Sequence, residues 1–238
     1  LRLVRKTKVA LSKEGSVWRE GELQLLPFLV RRNCTAVDVG ANLGIYTEAL
    51  VRLCRQVVAI EPNPPWAADL SAMFKEVRVI RGAASNVAGR TALRVPTDIS
   101  HAGMATIEAN NSLHGQSVQE IVVDVFTIDS LNLTDVGFIK IDVEGHEDAV
   151  LEGATETIRA HRPTLLIESE ERHRPGSFSS LLRRMRSLGY AGYVLWNGAL
   201  APISQISRKD NEPEVDPTGN MTKINGMSHV NNFVFLPG

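Results

Sequence analysis

Cysteine is almost absent: Cys34 and Cys54 are the two in 238 residues. Two thiols are too few for a disulfide framework or a zinc site and read as reduced cysteines of a cytoplasmic protein. Long apolar runs are missing as well. None approaches the roughly 20 residues a membrane span requires, so no span is expected. Neither sign of charge is in excess, since 26 Lys and Arg stand against 27 Asp and Glu for a formal net charge of −1. That balance argues against a nucleic-acid partner held by neutralising many phosphates. The small cluster Arg183, Arg184 and Arg186 is interleaved with Leu181, Leu182, Met185 and Leu188 and reads as the solvated face of a helix. Internal repeats, low-complexity tracts and a secretory signal are also lacking, so the Asn-x-Ser/Thr triplets at Asn33, Asn110, Asn132 and Asn220 read as chance.

What is present is ordinary globular composition, 43% hydrophobic and 22% charged, in a chain long enough to bury a core without staples. Short β-branched runs alternate with helical stretches. "TAVDVG" (35–40), "QVVAIE" (56–61), "EVRVIRGAAS" (76–85), "VGFIKIDVEG" (136–145), "PTLLIE" (163–168), "GYVLW" (192–196) and "NNFVFL" (231–236) read as seven strands. Helices are expected over 44–55, 65–75, 146–160 and 178–188. Such alternation predicts an α/β fold with a mostly parallel seven-stranded sheet covered on both faces. About fifty residues before the fourth strand contain "RTALRV" and "EIVVDVFTI", extra strands or a hairpin beside the sheet. Residues 1–34 are expected to pack on the core as an N-terminal segment, and residues 35–238 to form one catalytic domain. If "GYVLW" runs parallel to the earlier strands, the polar stretch 197–230 leaves it on the ligand side and forms a lid, with His229 and Asn231 over the site.

In an open parallel sheet, ligands sit at the carboxyl ends of the strands. The first strand runs into "VDVGANLGIYT", which places Asp38, Gly40, Asn42 and Gly44 there. A dinucleotide fingerprint wants glycine at 40, 42 and 45, where this chain has Gly40, Asn42 and Ile45. Asp-x-Gly-x-x-x-Gly instead matches the first motif of class I S-adenosylmethionine-dependent methyltransferases. Glu61 lies 21 residues after Gly40 at the end of the second strand, where a carboxylate can accept both hydroxyls of a ribose or, alternatively, cap the next helix. Asn63-Pro64-Pro65-Trp66 spells the motif with which amino-group methyltransferases hold their target nitrogen. That motif belongs after the fourth strand. Following the second, it reads as a helix start that shapes the cofactor pocket.

The fourth strand carries "FIKIDVEGHEDAVLEGA". On an alternating strand Lys140 and Asp142 share a face, and a buried lysine needs an anionic partner. Asp142, Glu144 and His146 emerge at the following turn, where Glu147 and Asp148 complement a helix dipole. Together with "VDVGANLGIYT", "AIEPNP", "GAAS", "TIDSL" and the terminal "NNFVFLP", this stretch resembles the FkbM family of methyltransferases, in order from about residue 35 to 237. The resemblance implies a class I, Rossmann-like methyltransferase fold, S-adenosylmethionine as cofactor, and O-methylation of a small-molecule hydroxyl on a sugar, glycolipid or polyketide-like natural product. By position it assigns Asp38, Gly40, Asn42, Gly44 and Tyr46 to the methionine end of the cofactor and Glu61 to the ribose, with Asn63 nearby. Ala83 and Ala84 would meet the adenine. Asp142 would face the cofactor amino group or the acceptor.

Methyl transfer to a hydroxyl needs a positioned acceptor and a base. Asp142, Glu144, His146 and Glu168 are the candidates at the carboxyl edge, with Glu168 alternatively a salt-bridge partner of Lys140. His173, in the charged "SEERHRP", reads as surface. Asp142, Glu144 and Glu168 are also hard oxygen ligands that could hold Mg²⁺ or Ca²⁺ against acceptor hydroxyls. The competing readings are an NAD-dependent oxidoreductase and a non-catalytic cofactor-binding protein. The segment "SHAGMATIEANNSLHGQ" (100–116) matches no motif.

Overall fold

The β-branched runs become strands because their alternate side chains are buried on opposite faces of one sheet. Val37, Val39, Val58, Ile60, Ile139, Ile141, Leu165, Ile167, Phe233 and Phe235 belong to one apolar cluster, and Ala36, Val57, Ala59, Phe138, Leu166 and Val234 to the other. The computed structural model describes residues 21–196, 198–205, 214–215, 221–222 and 230–238, and the statements that follow concern these. Residues 1–20, His229 and most of the expected lid lie outside them.

The strands are β1 (Thr35–Val39), β2 (Gln56–Glu61), β3 (Arg78–Arg81), β4 (Ala83–Ala84), β5 (Gly89–Pro96), β6 (Val118–Phe126), β7 (Val136–Ile141), β8 (Thr164–Glu168), β9 (Tyr190–Trp196), β10 (Ala199–Pro202), β11 (Glu214–Val215), β12 (Met221–Thr222) and β13 (Asn232–Pro237). The helices are α1 (Leu26–Leu29), α2 (Ile45–Val51), α3 (Pro64–Met73), α4 (Glu147–Glu152), α5 (Thr155–His161) and α6 (Ser177–Ser187). The main sheet has the order β10-β9-β13-β8-β7-β1-β2-β3. From β3 to β8 all pairings are parallel; β13 is antiparallel to both β8 and β9. Helices α1, α2 and α3 cover one face through Leu26, Leu50 and Leu70, and α4, α5 and α6 the other through Val150, Ile158 and Phe178.

Four details differ from the sequence-based expectation. The sheet has eight strands rather than seven, because the chain reverses after Trp196 and Ala199–Pro202 pairs antiparallel with β9. β9 does run parallel to β8, yet the first part of the expected lid is thereby an edge strand and does not cross the strand ends. The third predicted strand is broken at Gly82, after which Ala83 and Ala84 pair with β6 in a separate sheet of order β4-β6-β5. Its hairpin of β5 and β6 is the one "RTALRV" and "EIVVDVFTI" suggested. Finally, the helix expected over 146–160 is two. A side chain at Gly153 would collide with the Ser85 carbonyl at 2.0 Å. Asp129 of "TIDSL" enters the break and accepts the N–H groups of Thr157 (2.8 Å) and Glu156 (3.1 Å), starting a new helix.

Candidate functional site

At the carboxyl ends of β1, β2 and β7 a cleft opens, lined by backbone and side chains of all three strand ends. Of the residues singled out from sequence, Gly40, Asn42, Glu61, Ala83, Ala84, Asp142, Glu144 and His146 line it. Asp38, Gly44, Tyr46, Asn63 and Glu168 do not.

Those five lie outside the lining. Asp38 is buried, accepts a hydrogen bond from the Thr47 hydroxyl (2.5 Å), and is pushed up to about 6 by burial. Gly44, at φ +78°, leaves the space into which Leu70 of α3 and Phe74 just past its end pack; a Cβ there would stand 2.7 and 2.8 Å from them. Tyr46 is buried in the core with the Lys140 ammonium 5.1 Å from its ring centre. Asn63 contributes its backbone N–H, which Glu61 Oε1 accepts at 2.8 Å. Gly40 has a stricter reason to be glycine than ligand approach. At φ +80° its missing Cβ would lie 1.8 Å from the Asp142 carbonyl, so the ends of β1 and β7 close up only around glycine.

Glu61 is the best-defined polar group of the cleft. Oε1 is held by Asn63, and Oε2 accepts the backbone N–H of Asn42 at 2.7 Å. Burial pushes the carboxyl up to about 7 against these two bonds. An ionised carboxylate has about four acceptor positions, so two remain for a ligand. Pro64 opens α3, and Pro62 and Trp66 form cleft wall, so Asn-Pro-Pro-Trp does start a helix beside this pocket.

At the other rim, Lys140 is 1% exposed and finds the anionic partners it needs, with Asp142 Oδ2 at 3.6 Å and Glu168 Oε2 at 3.8 Å. Glu168 also accepts a hydrogen bond from Asn231 (2.8 Å). Burial, then Asp142, raises the Glu168 carboxyl well above the ordinary range, with Lys140 opposing. Glu144 is raised likewise by burial and by Asp142. His173 corrects the sequence reading. It is buried, not surface, and its Nε2 stands 3.1 Å from Glu144 Oε2. Glu147 is more than a helix-dipole acid: it is buried, accepts the Gly145 N–H at 2.8 Å, and is pushed up to about 7 by burial.

No three His, Cys, Asp or Glu side chains among the described residues are grouped to hold a metal ion. Asp142, Glu144 and Glu168 are not grouped in that way, so the Mg²⁺ or Ca²⁺ ligation suggested from sequence finds no support in this geometry. The Lys140 ammonium lies within 4 Å of both Asp142 and Glu168, and Glu144 Oε2 lies 3.1 Å from His173 Nε2.

The part sequence reasoning missed is 100–116. Gly103, Ala105, Thr106 and Ile107 line the cleft, as does Leu93 of β5. The segment is stitched to the β7 turn. Glu144, at φ +55°, has its carbonyl bonded by the Thr106 hydroxyl (2.9 Å) and the buried Asn111 side-chain amide (2.8 Å). Glu108 Oε2 lies 3.1 Å from His146 Nδ1, and His146 Nε2 lies 2.8 Å from the Ser85 hydroxyl. Both ring nitrogens of His146 are therefore engaged, and the imidazole joins the segment to the β4 and β7 ends. The one sequence signal was length, since a long stretch without periodicity between strands often carries function.

Residues 38–191 match the family described as Methyltransferase FkbM domain. The chain belongs to this family. Among solved structures, an FkbM methyltransferase from Methylobacillus flagellatus superposes with a TM-score of 0.53 at 20% identity, covering 91% of this chain and 47% of that one. This chain thus spans about half of that relative's length, and the likeness shows the class I methyltransferase fold. A TehB-like SAM-dependent methyltransferase from Corynebacterium glutamicum (TM-score 0.49, 14% identity, 100% of this chain and 97% of that one) is also similar. So is a precorrin-8w decarboxylase from Methanobacterium thermoautotrophicum (0.49, 11%, 94% and 93%). Comparison with curated proteins gave no match.

Proposed function

We propose that this FkbM-domain chain is an S-adenosylmethionine-dependent O-methyltransferase that acts on a hydroxyl of a small molecule, a sugar or a glycosylated natural product. The observation that carries the reading is the cleft itself, which brings Glu61, with two acceptor positions to spare, and the mouth carboxylates Asp142 and Glu144 around one opening at the strand ends.

S-adenosylmethionine fits the residues present. Its ribose hydroxyls match the spare capacity of Glu61. The buried side-chain carbonyl oxygen of Asn42 has no hydrogen-bond partner among the described residues and suits an amino or hydroxyl donor. Ala83 and Ala84 offer a flat apolar wall for the adenine. The acids of the rim favour a cation. When bound, S-adenosylmethionine supplies an electrophilic methyl group on a sulfonium.

The chain's own task is to orient the acceptor hydroxyl and take its proton. Glu144 is the base this reading favours. It lines the cleft, and its raised carboxyl binds a proton near neutral pH more readily than an ordinary glutamate. Asp142, held by Lys140, orients the acceptor. Glu168 stands outside the lining, bound to Lys140 and Asn231, and His146 has both nitrogens engaged, so these two are supports. A sugar acceptor is favoured because carboxylates at the mouth are strong acceptors for its hydroxyls.

The test is transfer of a deuterated methyl group from S-adenosylmethionine into extracts of the source organism, read by mass spectrometry. The expected result is label in a hydroxyl-bearing metabolite, lost with Glu144→Gln and Asp142→Asn. Label on nitrogen or carbon would overturn O-methylation, and cofactor binding without turnover on any acceptor would favour a non-catalytic cofactor-binding protein.

A further inference from the structure

The two cysteines lie at the opposite end of the sheet from the cleft and take no part in it. Cys34 immediately precedes β1, and Cys54 follows α2. The Cys34 carbonyl accepts the N–H groups of Arg55 (3.0 Å) and Gln56 (3.3 Å), so the two segments are backbone neighbours. Their sulfurs are 3.9 Å apart. Cys34 is fully buried, its sulfur against Gly137, where an added Cβ would come within 2.6 Å. Cys54 is partly exposed. One thiol is thus reachable from solvent and the other waits behind it. The hydrogen bond between the thiols holds Cys34 down to about 7 against its burial, with Arg31 assisting, and pushes Cys54 up.

We infer that Cys34 and Cys54 are a disulfide-forming pair that, on oxidation, ties the start of β1 to the start of β2. These strands present Gly40 and Glu61 at their far ends. A disulfide needs neighbouring chain segments and sulfurs that close to about 2.05 Å, and a contact pair on adjacent segments has only that last approach to make. The oxidant class is a low-molecular-weight disulfide. Cys54, the reachable thiol, passes its proton to the neighbouring Cys34 sulfur as it attacks one sulfur of the small disulfide, which expels a thiolate. The Cys34 thiolate then attacks the Cys54 sulfur, forming the protein disulfide and expelling the second thiolate. Two protein thiols are oxidised, one small disulfide is reduced to two thiols, and the two protons pass to those thiols through solvent. The closed loop encloses β1, the Gly40–Gly44 turn and α2, which restricts the unfolded chain and raises the melting temperature.

The experiment incubates the full chain with oxidised glutathione, alkylates free thiols, and maps peptides without reduction. The expected product is lighter by two hydrogens and yields one cross-linked peptide pair containing Cys34 and Cys54. Dithiothreitol reverses it, and it melts higher than the reduced chain. In Cys34→Ser, Cys54 is expected to retain a glutathionyl group, since nothing displaces it. In Cys54→Ser, the exposed change, Cys34 stays unmodified until the chain unfolds. Wild-type chain that keeps the glutathionyl group on Cys54, or in which both thiols remain alkylatable, would overturn the pair.

Discussion

Glu61 shows how much one side chain can be asked to do. It fixes the β1 and β2 turns through two backbone N–H groups and still faces the cleft. Because burial moves its carboxyl up to about 7, the ionised form that best accepts ribose hydroxyls gains population as pH rises through that value. The affinity for S-adenosylhomocysteine is therefore expected to strengthen between pH 6 and pH 8 by several-fold, measured by calorimetry, and to lose that dependence in Glu61→Gln. Gly40 makes a second prediction at this scale. Gly40→Ala puts a Cβ 1.8 Å from the Asp142 carbonyl at a positive φ, so it is expected to destabilise the fold by about 3 kcal/mol or more in urea denaturation. Both residues were legible in the sequence from strand-end position and spacing. The reason for Gly40 was not, because it lies in contact with a strand about a hundred residues away.

The elements were legible wherever their periodicity was set by burial on one or both faces. The β-branched runs other than 76–85 became single strands, and Val150, Ala154 and Ile158 share one apolar cluster although the helix expected to carry all three is broken. What failed was whatever depended on a partner distant in sequence. The division of α4 from α5 rests on the Ser85 carbonyl and on Asp129, and no local propensity encodes either. His173 looked like surface because its neighbours are charged, yet those charges are paired inward: Arg172 with Glu170, Arg174 with Asp148, and Glu171 with the Gly176 and Phe178 N–H groups. The segment 100–116 was opaque for the same reason, as its bonds run to Glu144 and His146. Asn111 holds it to the Glu144 carbonyl and also accepts the Leu113 N–H at 2.9 Å. Asn111→Ala strips the Leu113 N–H of its acceptor and leaves the Glu144 carbonyl with the Thr106 hydroxyl alone, so a loss of about 1–3 kcal/mol is expected. Faster amide exchange over 142–146 in the variant would show that the segment supports the β7 turn; exchange confined to 105–113 would show that it does not.

For the whole molecule, the buried acids set a pH dependence of stability. Asp38, at about 6, and Glu61 and Glu147, at about 7, are raised from ordinary values of 3.8 and 4.5. Between those limits the folded chain binds more protons than the unfolded one, so their contribution is most favourable below about pH 4 and is lost as pH rises to about 7. Glu147→Gln removes one such group while keeping an oxygen for the Gly145 N–H. Its urea midpoint is expected to gain on the wild type between pH 5 and pH 8. Among the described residues no helix is long and apolar enough to cross a membrane. The sheet order and its two apolar faces bring the first turn, the Glu61 strand end and the β7 mouth to one cleft, and the central claim is that this cleft holds S-adenosylmethionine through Glu61. Calorimetric titration with S-adenosylhomocysteine and, separately, NADH, on wild type and Glu61→Ala, tests it most directly. The account predicts binding of the first ligand alone, weakened at least tenfold in the variant. Binding of NADH, or equal affinity for S-adenosylhomocysteine in the two proteins, would contradict it.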